Sequence, residues 1–270
     1  MILQAENQEE LVNKLSAADI SVPRRDDGRT TEHREIYCVF HLLAGLILSD
    51  LIKYPTILCK RESPDFLLKT GNIHIGIEHT DATSEDYAKE QAIRKKFRDQ
   101  GEDIGDGFSV PTIRPNDSLT STSVIKNRIL RPNPSMDFTV GREDENIWID
   151  SIIHAIQRKI NKINKREFDT FEQNWLLIYD AWPLRGLGIE EKDEVSPELV
   201  NKLNDEKAFN SIDYAFVVCA KKHQERCIYQ FSSAGFSRHD INIKLRTSRN
   251  QNESSVQDEH VVNHPQGESE

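Results

Sequence analysis

The residues whose types and spacing could do chemistry gather in one segment, Ser63 to Thr83, SPDFLLKTGNIHIGIEHTDAT. Asp65 opens a strand-like run, Asp65–Lys69, and Glu78 lies near the end of a second, Asn72–Thr80. Thr70-Gly71-Asn72 between them has the composition of a hairpin turn. The second run alternates, with Ile73, Ile75 and Ile77 on one face and His74, Gly76, Glu78 and Thr80 on the other. Pairing the two runs brings Asp65 and Glu78 close enough to share an ion, and paired carboxylates are hard oxygen ligands suited to Mg²⁺ or Mn²⁺. A carboxylate on a strand anchored by three isoleucines costs stability unless a metal or other cation offsets its charge.

Other chemistries lack support. His74 and His79 are five apart on a strand and so face opposite sides, and there is no H-E-x-x-H pattern, which argues against zinc. No G-x-x-x-x-G-K-[ST] loop, G-x-G-x-x-G turn or G-x-S-x-G elbow occurs, and nothing local supports a Ser/His/Asp or Cys/His triad. Cys38, Cys59, Cys219 and Cys227 are widely spaced without a C-x-x-C pair, which argues against both a Cys-rich zinc site and a disulfide framework. Trp148, Trp175 and Trp182 read as core and loop anchors rather than a base-stacking platform.

The elements that must position the acidic pair follow from periodicity. Residues 1–20 read as a short amphipathic helix with Leu11, Leu15 and Ile20 on one side, followed by a loop over 21–29. A helix is predicted from about Thr31 to Ser49, capped by Thr30 or Thr31 and striped by Ile36, Val39, Phe40, Leu42, Leu43, Leu46 and Ile47. Another runs from about Ser84, an N-cap, to Arg98. Residues 100–145, with four prolines and four glycines, read as a long irregular insertion. A helix over about 143–166 carries Ile149, Ile152, Ile153, Ile156, Ile160 and Ile163 on one stripe and basic residues at its far end. Trp175–Asp180 reads as a strand buried on both faces, and Tyr214–Ala220 and Cys227–Phe231 as two more, with a loop between the first and second of these three. The expected architecture is a single α/β domain over 1–245, and 246–270 reads as a disordered acidic tail.

Residues 30–100 resemble the core of the PD-(D/E)XK nuclease superfamily, found in restriction endonucleases and many antiphage or repair nucleases. Its pattern is Pro-Asp at the start of one strand and Glu-x-Lys on the next, with a helix before and a helix after. Pro64-Asp65 matches the first half, and Glu78-His79-Thr80 stands in the place of the second. The resemblance implies a restriction-endonuclease-like mixed sheet flanked by helices and metal-dependent cleavage of DNA, ahead of RNA, with Asp65 and Glu78 holding Mg²⁺ or Mn²⁺. It also implies a further acidic ligand on the preceding helix, where Glu32 lies near the centre of the apolar stripe and Glu35 nearer its edge. The departure is Thr80, where the family has lysine. In this superfamily that lysine sometimes comes from another element, and Lys159, at the edge of the isoleucine stripe, is the first candidate, ahead of Lys162, Lys89, Gln91 and Lys95. Two other readings stand beside this one: a nuclease-like fold with an incomplete site serving as a binding or regulatory subunit, and an unrelated α/β protein in which the acidic pair is structural.

The chain has 270 residues and a net charge of −10, which is unusual for a protein that would bind phosphates. Half of that excess is Glu253, Asp258, Glu259, Glu268 and Glu270 in the tail, while Lys and Arg concentrate on Lys89–Arg98 and Arg158–Arg166, which would flank the site. The charge argues against tight non-specific binding and points to a narrow substrate or a partner subunit; a homodimer is the other assembly expected. Mean hydropathy is −0.62, no apolar run reaches the roughly 18–20 residues needed to span a bilayer, and the first residues lack a signal-like basic flank and apolar block. With the cysteine usage, these features give no membrane partner and a cytoplasmic setting as expectations.

Overall fold

The computed structural model describes residues 1–23, 28–83, 85–102, 104, 120–131, 142–164, 171–181, 187–220 and 226–247. Among these residues eight strands form one mixed sheet in chain order: β1 (Leu3–Ala5), β2 (Thr56–Lys60), β3 (Phe66–Thr70), β4 (Ile73–Ala82), β5 (Gln173–Asp180), β6 (Tyr214–Cys219), β7 (Cys227–Ser232) and β8 (Gly235–Asp240). The pairs β1 to β4 are antiparallel, β4, β5 and β6 run parallel, and β6 to β8 are antiparallel again. The fold is therefore α/β, with helices on both faces. Among the described residues no helix is long and apolar enough to cross a membrane.

One face is covered by α1 (Gln8–Ala17) and α2 (Thr31–Leu46). Leu11 and Leu15 of α1, and Val39, Leu42, Leu43 and Leu46 of α2, pack on Leu58, Phe66, Leu68, Ile75, Ile77, Trp175 and Phe216. Thr30 caps α2 by accepting from the His33 backbone N–H, filling one of the donors a helix start leaves unsatisfied. Gly45 lets α2 lie directly on β7, since a Cβ there would fall 2.7 Å from Ile228 Cγ1. The opposite face is covered by α5 (Glu143–Ile163) and α6 (Ile189–Asp205). Their Trp148, Ile149, Ile152, Ile156, Val195, Leu199 and Leu203 bury against Leu176, Ile178, Ala215, Val217, Tyr229 and Phe231. A small third cluster joins α3 (Glu85–Asp99) to α4 (Thr122–Leu130) through Ile93, Ile104, Ile125 and Ile129.

Several sequence expectations are corrected. The first twenty residues do not form one helix: Leu3–Ala5 pairs with β2 as an edge strand, and Ile20 is buried beyond the end of α1. Thr56–Lys60 is a strand that the proline before it obscured, and β8 closes a further hairpin. The stretch read as an irregular insertion contains α4, started by the Ser121 side chain. The loop expected after β5 contains α6, a seventeen-residue helix whose many charges and internal Pro197 hid a buried stripe of Val195, Leu199 and Leu203. At the far end of the described chain, Leu245 is buried and Arg246 bridges to Asp19. The expected cap Ser84 and the segments 105–119, 132–141 and 248–270 lie outside the described residues, as do Trp182, Lys165 and Arg166.

Candidate active site

The hairpin β3–β4 builds the acidic pair as its sequence pattern requires. Thr70 pairs with Ile73, so Gly71 and Asn72 form a two-residue turn, and Gly71 sits at φ 56°, where a side chain would be strained. The register continues to Phe66 opposite Ile77, which sets Asp65, one residue before β3, against Glu78. Ile75 and Ile77 bury beneath α2, and the strand's alternation therefore turns Gly76, Glu78 and Thr80 toward the α5 face. Asp65 is held from its own neighbourhood: its Oδ2 accepts the His79 backbone N–H at 2.7 Å, and its carbonyl accepts the Arg61 N–H at 2.9 Å.

Lys159 completes the arrangement from α5. Two turns after the fully buried Ile152, it projects toward the sheet, and its Nζ donates to Glu78 Oε2 at 2.8 Å while lying 3.9 Å from Asp65 Oδ2. One ammonium thus faces two carboxylates. Burial pushes the Glu78 carboxyl above the usual range, Lys159 pulls it back, and Asp65, close enough to share a hydrogen bond, pushes it up again. Thr80 lies on the same face, buried, two residues along the strand from Glu78.

Close packing shapes one wall. Gly76 sits beneath Phe171 and Pro64: a Cβ on it would come within 2.8 Å of Phe171 Cδ2 and 3.1 Å of Pro64 Cγ. The Arg61 guanidinium lies over the same Phe171 ring, 5.4 Å from its centroid. A glycine inside a strand is the sequence signal for such an approach; Phe171 itself left none.

Behind the site, on the α2 face, a second polar group supports β4. Arg34 pairs with Asp81, and Lys60 Nζ reaches Glu35 Oε2 at 2.5 Å. His79 Nε2 lies 3.7 Å from Asp81 Oδ1, and both atoms are buried without a hydrogen-bond partner. Burial lowers the His79 imidazole to about 4, against the opposing pull of Asp81 and Asp65, so the ring is neutral near pH 7.

Of the sequence candidates, the fold brings together Asp65, Glu78 and Lys159. It does not bring Glu32 to them: Glu32 is exposed on the first turn of α2, and the inward acid near that end of the helix is Glu35, already paired with Lys60. Helical-wheel geometry put Glu32 in the stripe, but the buried part of α2 begins only at Cys38, beyond the first turn. Lys162 is exposed, Lys89 lies 3.8 Å from Asp86 Oδ1 in a different cluster, and Lys95 and Gln91 are half-buried on α3. Among the described residues no three His, Cys, Asp or Glu side chains converge as a metal cage. A pair of carboxylate oxygens is what Mg²⁺ commonly takes from a protein, with waters and substrate phosphate filling its shell, so the donor set fits Mg²⁺ or Mn²⁺ and not a structural zinc.

No family model, curated protein or solved structure matches the chain.

Proposed function

We propose that the protein is a metal-dependent phosphodiesterase acting on nucleic acid, DNA ahead of RNA, with a restriction-endonuclease-like core. The supporting observation is the Lys159 ammonium set between Glu78 and Asp65, at 2.8 and 3.9 Å, on the face where Thr80 replaces the expected lysine. The order of elements supports it too, with a helix before the β3–β4 hairpin and a helix leading into a parallel strand after it. Asp65 and Glu78 would hold the divalent cation. When bound, that cation polarises the phosphate and makes an attacking water more acidic.

The rest follows from the chain's own groups. With both acids ionised, the trio carries a net charge of −1, and a divalent cation converts it to +1, matched to a singly charged phosphodiester. The His79 and Arg61 N–H groups fix Asp65 before any ligand arrives, so its orientation adds little reorganisation to the reaction. Lys159 Nζ presents positive charge where a phosphodiester gains negative charge during attack, a role that the Thr80 hydroxyl cannot fill. Restriction or antiphage defence is the biological setting that this chemistry would suit.

The test is incubation with plasmid, linear and single-stranded DNA and RNA, with Mg²⁺ or Mn²⁺ and an EDTA control. Cleavage that EDTA stops, and that Asp65→Ala and Glu78→Gln both lose, is the expected result. Cleavage that survives in both variants overturns the assignment.

A second reading, a binding or regulatory subunit, is favoured by Thr80 and by the −10 net charge. Calorimetry separates the two: on that reading Mn²⁺ binding does not depend on Asp65 and Glu78, and no substrate is cut.

A further inference from the structure

A second reactive cluster lies on the α5–α6 face, outside the candidate active site. Cys219 ends β6 and Cys227 begins β7, and the antiparallel register sets them directly opposite each other. Directly opposed residues in such a ladder have Cα atoms about 4.5–5.5 Å apart, inside the range that a disulfide bridges. The two side chains interact, and all four cysteines of the chain are free. Lys192 Nζ lies 3.6 Å from Cys219 Sγ, and the Cys219 thiol faces Asp180 Oδ2 at 3.6 Å.

We propose that Cys219 and Cys227 form an oxidation site, a dithiol that a peroxide-class oxidant converts to a cross-strand disulfide. The two sulfurs have different roles. The neighbouring Cys219 side chain lowers the Cys227 thiol against the effect of burial, with Lys192 assisting, whereas Cys227 and burial push Cys219 up. Cys227 is therefore the attacking thiolate and Cys219 the resolving thiol. The Cys227 sulfur attacks one oxygen of hydrogen peroxide; an S–O bond forms, the O–O bond breaks, and the departing hydroxide takes a proton to become water. The Cys219 sulfur then attacks the Cys227 sulfenic acid; the S–S bond forms, the S–O bond breaks, and the second hydroxide leaves with the Cys219 proton, which Asp180 Oδ2 is placed to relay. The dithiol loses two electrons and two protons, and one peroxide becomes two waters. Cys227 is the first residue of its strand and is buried, so the oxidant must be small and uncharged to reach it.

The test treats the folded full-length chain with limiting hydrogen peroxide and follows it by intact mass and peptide mapping. A loss of two hydrogens, mapped to a Cys219–Cys227 crosslink and reversed by dithiothreitol, is expected. It should form roughly tenfold faster than any modification of Cys59, which is half-buried, or Cys38, whose thiol burial pushes up. Cys219→Ser should leave Cys227 as a dimedone-trappable sulfenic acid, while Cys227→Ser should leave Cys219 unreactive. Circular dichroism checks that both variants fold, and where one does not, the wild-type crosslink map decides. Oxidation that begins at Cys59, links two chains, or reaches the pair only after unfolding overturns the proposal.

Discussion

Lys159 of α5 and Lys192 of α6 leave their helices on the same face of the sheet, and each ends on a carboxylate. Their surroundings differ. Lys192 Nζ donates to Asp180 Oδ2 at 2.7 Å, lies 5.7 Å over the Trp148 ring, and both side chains are sealed, at 4% and 1% exposure. Burial depresses the Lys192 ammonium, but Asp180 and Cys219 more than offset this and leave it above its ordinary value. One charge meets one charge, out of water. At the other site a single lysine at 19% exposure serves two acids at 18% and 12%, and the acid nearest to it is pushed toward holding a proton. A closed, one-to-one pair is sealed from any ligand. An open pair with one carboxylate in excess does, and that is why α5, not α6, carries the proposed chemistry.

The contrast can be broken experimentally, beginning with its largest consequence. Asp65→Ala should lower metal-dependent cleavage roughly a thousandfold or more, at least ~4 kcal/mol of transition-state stabilisation, measured by single-turnover assay. Its melting curve should stay close to wild type. Lys192→Met should do the opposite. It leaves Asp180 buried without its cation and should cost about 3–5 kcal/mol in denaturant unfolding, much of it recovered when Asp180→Leu is added. Equal unfolding penalties for Lys192→Met and Lys159→Met would remove the distinction between the two sites.

Acid stability gives a third, intermediate effect. Burial holds His41 and His79 at about 4, against 6.5 for an ordinary imidazole. The His41 Nδ1 contact to the Tyr37 carbonyl at 2.7 Å fits a neutral ring that donates from that nitrogen. Because the unfolded chain takes up protons that the folded chain refuses, stability is full above pH 6.5 and falls as pH drops toward 4, by about 3 kcal/mol per histidine. His41→Leu should flatten roughly half of that acid slope in pH-dependent denaturant melts. An unchanged slope would show that the His41 ring does not carry its share.

The smallest effect is the stability change in Lys159→Gln, about 1–2 kcal/mol at neutral pH, because Glu78 can take a proton once its cation is gone. That cost should shrink as pH falls, while cleavage drops by roughly a hundredfold or more at every pH.

Much of the frame was readable without coordinates because it depends on local periodicity. The alternation of Ile73, Ile75 and Ile77, and the Thr70-Gly71-Asn72 turn, placed Glu78 on the correct face and opposite Asp65. The isoleucine stripe of α5 was equally plain. What misled was equally local. Pro197 and a dense run of charges concealed α6, and wheel geometry over the first turn of α2 favoured Glu32 over the inward Glu35. Edge strands such as β1 and β8 are too short, or too polar, to show a period of two.

The sequence by itself determined the hairpin, its acidic pair and the helices on either side, since each arises from contacts between near neighbours in the chain. Only the tertiary structure decided which cation meets which acid. Glu78 and Lys159 are 81 positions apart, and four basic side chains on two helices had comparable local patterns. How α5 lies against β4 chose Lys159, and the same packing on α6 closed Lys192 away with Asp180. A charge written in the sequence becomes a site or a strut according to how much water and how many opposing charges the fold leaves around it.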